Sequence, residues 1–98
     1  MISNPDNDNN LEEPMIFIII GKGYESDKKK GVSLHVLLKA ADDDSAVRGA
    51  LNALAEEGFA EADLDQIGLL QDAPEDEPHA SAYKDAVAGE IAIIRFDG

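Results

Sequence analysis

Cysteine is absent from the chain, and with it go disulfides, thiol nucleophiles, iron–sulfur clusters and cysteine-based zinc sites. Tryptophan is missing too, and two Tyr and three Phe are the whole aromatic complement. The core must therefore be built from Ile, Leu, Val and Ala. Basic residues are scarce: 8 Lys and Arg stand against 21 Asp and Glu, a formal charge of −13. A field of that sign repels nucleic-acid phosphates and anionic lipid, which argues against both as partners. The apolar run from Met15 to Ile20 falls far short of the ~20 residues that a membrane-spanning helix needs. The first residues are acidic and Asn-rich, where a secretory leader would be basic and then apolar. A cytoplasmic protein is the expectation.

What remains is a chain of 98 residues, 44% apolar, enough for one folded domain. Residues 1–13 are almost wholly polar and lack the means to offset their ordering entropy. They are expected to form a disordered acidic arm, with the single domain occupying 14–98. Met15 to Ile20 is apolar at every position, which implies a strand covered on both faces. Val32 to Lys39 alternates instead, with Val32, Leu34, Val36 and Leu38 on one side and Ser33, His35, Leu37 and Lys39 on the other. Gly21 to Gly31 joins the two as a charged loop.

A helix is expected from Ala46 to Glu57, capped by one residue of the run Asp42-Asp43-Asp44-Ser45 and ended by Gly58. Val47, Leu51 and Leu54, with Ala50, are its expected buried stripe. A third strand is firmest at Ile67 to Leu70, and the slip in parity between Leu64 and Ile67 suggests a bulge. Pro78 suits the start of a second helix with Ala80, Tyr83 and Val87 on its apolar side, ended by Gly89. Ile91 to Phe96 is the last strand. The order β-β-α-β-α-β reads as an α+β two-layer sandwich, a four-stranded sheet with both helices on one face. The first and last strands, apolar toward both faces, then call for a cover on the other face, and a homodimer packed through the sheet face supplies one.

Candidate chemistry is sparse. Ser33 and His35 share a strand face without a placed acid, and Tyr83 stands at helical spacing in the second helix. These three are the weak catalytic candidates of a small enzyme or ligand-binding domain with a pocket near His35 and Tyr83. The loop around Lys28, Lys29 and Lys30 gathers lysines between glycines, a candidate contact for an acidic surface. Glu61, Asp63, Asp65, Glu75, Asp76 and Glu77 lie in the stretch from Glu56 to Pro78, which holds nine acids and neither Lys nor Arg. No metal or cofactor motif is present, so a docking surface for a basic protein at Glu75, Asp76 and Glu77 is the better expectation. The leading reading is a non-enzymatic interaction or regulatory domain that self-associates and binds a basic partner. A structural module that only forms oligomers is the further alternative.

Overall fold

A computed structural model describes residues 15–25 and 31–96. Over these the chain runs β1 (Met15–Glu25), β2 (Val32–Ala40), α1 (Asp43–Glu56), β3 (Phe59–Leu70), α2 (His79–Val87) and β4 (Ala92–Phe96). The strands form one antiparallel sheet in the order β3-β1-β2-β4. The fold is α+β, with the β-β-α-β-α-β order that the hydrophobic pattern implies. The N-terminal arm read over residues 1–13 lies outside the described residues.

Strand parity sorts the apolar side chains into two cores. Phe17 and Ile19 of β1, Leu34, Val36 and Leu38 of β2 and Ile93 of β4 point to one face, where they pack with Ala46, Ala50 and Leu54 of α1 and with Phe59. Ile16 and Ile18, Leu37, Ala92 and Ile94 point to the other, where they meet Ala82, Tyr83 and Ala86 of α2. The two helices therefore take opposite faces, and the expected two-layer arrangement with both on one face is corrected to helix, sheet, helix. The reason lies in the second row of β2. Ser33, His35, Leu37 and Lys39 read as a solvent side, yet Leu37 is fully buried beneath Ala82 and Ala86, and Lys39 donates from Nζ to the Val87 carbonyl at the end of α2, 3.3 Å away. The face for which the sequence asked a second subunit thus carries α2 over β2 and β4.

Both helices are rotated from the expected stripe. In α1 the buried line is Ala46, Ala50 and Leu54, with Val47 half-buried and Leu51 41% exposed. In α2 it is Ala82 and Ala86, while Val87 is exposed. In each case an alanine pair at i and i+4 lets the helix backbone come close to the sheet, and the larger side chain is left at the flank. Asp42 caps α1 by accepting from the Ser45 amide at 2.8 Å. Gly58 and Gly89 follow the helices at φ +104° and +100°, the left-handed conformation that a Cβ disfavours.

β1 and β3 both run longer than expected. β1 continues through Gly21 and Gly23 to Glu25, so the connecting loop is shorter than the glycines suggested. β3 pairs with it from Phe59 to Leu70, and the register slips where Ile20 faces Gln66 but Gly21 faces Leu64. Asp65 is the extra residue, a bulge where the parity broke. Gly23 makes room for Phe59: a Cβ there would stand 2.6 Å from the ring. The Arg95 guanidinium lies over the Phe59 ring at 5.1 Å from its centroid and reaches Glu25 at 3.8 Å.

Candidate functional site

The side chains that sequence reasoning kept apart are brought together at the start of α2. His35 lies in the middle of β2, on the α2 side, and His79 is the first residue of α2. His35 Nδ1 and His79 Nε2 are 2.8 Å apart, so one imidazole donates and the other accepts. The ring of Phe96 closes the group. It meets His35 edge-on at 4.6 Å between centroids and lies nearly parallel to His79 at 6.3 Å. His35 sits opposite Ile94, and Ser33 opposite Phe96, in the β2–β4 register.

Burial holds the His35 imidazole below the ordinary histidine range, and the adjoining His79 pushes it the same way. Sequence reasoning singled out His35 without joining it to His79, and the missed signal was local. Pro78 opens the helix, so position 79 sits in its first turn, where a side chain on the sheet side can reach the strand beneath.

The nucleophile–base reading gains no support from this geometry. The hydrogen bond of His35 goes to His79, and Ser33 is exposed on the strand with Phe96 as its cross-strand neighbour. Tyr83 is half-buried against the α2-side core, in a cleft of about 360 Å3 lined also by Met15, Ile16, Leu69, Leu70 and Gln71. His35 is not among its walls, so the cleft beside Tyr83 and the histidine clamp at the start of α2 are separate places. A second cleft, of about 380 Å3, lies between α1 and β4 around Gly49, Ala53, Glu56 and Ile93.

The acids take separate places. All nine between Glu56 and Pro78 are exposed. Glu61 and Asp63 share the α2 side of β3, opposite Tyr24 and Lys22, while Asp65 is the bulge. Glu77 is a helix cap: it accepts from the Ser81 amide at 3.1 Å. The Ser81 side chain and amide together hold its carboxyl below the usual range. No three His, Asp or Glu side chains gather as a metal site among the described residues, and Lys28, Lys29 and Lys30 lie outside them. No helix among the described residues is long and apolar enough to cross a membrane. No protein-family model matches the chain, and no curated protein or solved structure does either.

Proposed function

We propose that this chain is a non-enzymatic protein-interaction domain that engages a basic partner. The observation that carries the reading is the run from Glu56 to Pro78. It holds nine acids and no Lys or Arg, every acid is exposed, and three of them lie along the edge strand β3. Three cations elsewhere are already engaged: Arg48 with Asp44 at 2.8 Å, Arg95 with Glu25, and Lys39 with the end of α2. A surface of one sign steers an oppositely charged partner and repels nucleic acid. Because Glu77 caps α2, the acids to neutralise are Glu61, Asp63, Glu75 and Asp76.

The test is affinity capture from the native cell extract, comparing the protein with a variant carrying Glu61→Gln, Asp63→Asn, Glu75→Gln and Asp76→Asn. A basic protein should be retained by the first and lost by the second, and raising the salt from about 0.1 M to 1 M, which shortens the screening length from about 10 to 3 Å, should also release it. Retention insensitive to both changes, or no basic protein retained at all, refutes the reading.

A further inference from the structure

β3 is a strand of 12 residues, and its one neighbour among the described residues is β1. Its outer side presents peptide N–H and C=O groups with no described strand against them, the arrangement that recruits another strand. Such edges are ordinarily guarded by Pro, by Lys, by brevity or by a bulge. β3 has neither Pro nor Lys, and its bulge divides it in two. Glu61, Asp63 and Asp65 guard the first part, while Gln66 to Leu70 carries no charge.

The uncharged part is also where apolar side chains stand in solvent. Ile67 and Leu69 are 38% and 46% exposed, and Met15 beside them is 42% exposed. All three have the parity of Phe17 and so lie on the α1 side. Gly49, Ala53 and Glu56 of α1 line the cleft toward β4, so the exposed Leu51 is on the opposite flank of the helix, toward β3.

We propose that two copies of this chain pair antiparallel along the outer edge of β3, about a two-fold axis at Gly68, joining their sheets into one. A two-fold contact must be self-complementary, and Ile67-Gly68-Leu69 is so about its centre. Gly68 meets the partner's Gly68, and Ile67 meets the partner's Leu69 on the α1 side. Charge and apolar matching together select the register. With the axis at Gly68, Asp65 falls opposite the partner's Gln71 and no acid of one β3 opposes an acid of the other, whereas an axis at Gln66 or Ile67 sets Asp65 against the partner's Ile67 or Leu69. An axis at Asp63 instead sets Asp63 against the partner's Asp63, and Glu61 against the partner's Asp65, like charges directly opposed. The axis stands perpendicular to the sheet, so both α1 helices share one face and Leu51 borders the seam from each side. Glu61 and Asp63 lie beyond the paired segment and stay exposed, so the dimer stands whether or not a basic partner binds there.

The absence of cysteine makes a single-thiol test clean. A Cβ at Gly68 meets only Ile18 Cγ2 at 3.9 Å, so Gly68→Cys is accommodated and sets one thiol on the axis. Directly opposite residues of antiparallel strands have Cα atoms about 4.5–5.5 Å apart, inside the range that a disulfide spans. Under mild oxidation at about 100 μM, Gly68→Cys should form a covalent dimer on the order of tenfold faster than Asp63→Cys, an exposed thiol off the axis. Adding Leu69→Lys to Gly68→Cys should abolish that advantage. Light scattering of the unsubstituted protein should show mass rising toward that of a dimer between about 10 and 300 μM. A monomer throughout that range, or equal cross-linking of the two cysteine variants, overturns the proposal.

Discussion

Acidification should loosen the seat of α2 before it affects the rest of the molecule. His35 and His79 share one hydrogen bond at 2.8 Å, which requires that one of the facing nitrogens be without a proton. The folded protein holds His35 below the ordinary histidine range, by burial first and by His79 second. Folding therefore favours the neutral imidazole. The associated stability is present above the unfolded-state value near 6.5 and is lost as pH falls through the lower folded value. The other charged or titratable groups on α2 and beneath it, Glu77, Tyr83, Lys84, Asp85 and Lys39, are common to the two proteins compared below. The shared bond is worth about 1 kcal/mol net, and two charged rings add a repulsion muted by their partial exposure, so a total loss of about 1–2 kcal/mol is expected between pH 8 and 5. With a urea slope of about 1 kcal/mol/M for a chain this small, the midpoint should fall by roughly 1–2 M. Urea titrations followed by circular dichroism, comparing the protein with His35→Gln/His79→Gln, isolate the pair, because the carboxylates are common to both. An equal loss in the double variant refutes the reasoning.

Two further substitutions test the packing. Leu54→Ala empties a fully buried site in the α1 core and should cost about 2–5 kcal/mol, lowering Tm by about 10–25 °C. Leu51→Ala, three residues earlier but exposed, should cost less than about 1 kcal/mol. Equal losses in calorimetry would mean that α1 presents a different face to the sheet. Gly23→Ala drives a methyl into the Phe59 ring and should destabilise by about 1–3 kcal/mol. A Tm at or above that of the parent would show that the ring does not rest there.

The elements were legible because their signals are local. Asp42 and Gly58 bracket α1, the broken parity after Leu64 marks the bulge, and the alternation of Val32 to Lys39 marks β2. What eluded the sequence depends on tertiary choice. Whether α2 lay over or under the sheet turned on whether the Ser33, His35, Leu37 and Lys39 row faced water or a helix. A row of one hydroxyl, one imidazole, one leucine and one lysine fits both. The stripe on each helix was misjudged by a turn of about one residue because large side chains were favoured over Ala46, Ala82 and Ala86, where closeness of approach mattered more than apolar bulk. The histidine pair spans 44 positions, and no spacing rule joins residues so far apart. The acidic run was plain in the sequence, but the capping role of Glu77 was not, because a carboxylate that caps a helix and one that faces water are spelled alike.

The placement of β2 has a consequence for how the molecule opens. It is hydrogen-bonded on both sides, to β1 and to β4, and Leu34, Val36, Leu37 and Leu38 bury it in both cores at once. Its amide protons can exchange with solvent only when the whole structure comes apart. The nine-residue α2 is held by one core alone and can detach while the four strands and α1 stay closed. Native-state hydrogen exchange should accordingly resolve two tiers of protection, with the histidine clamp on the weaker one.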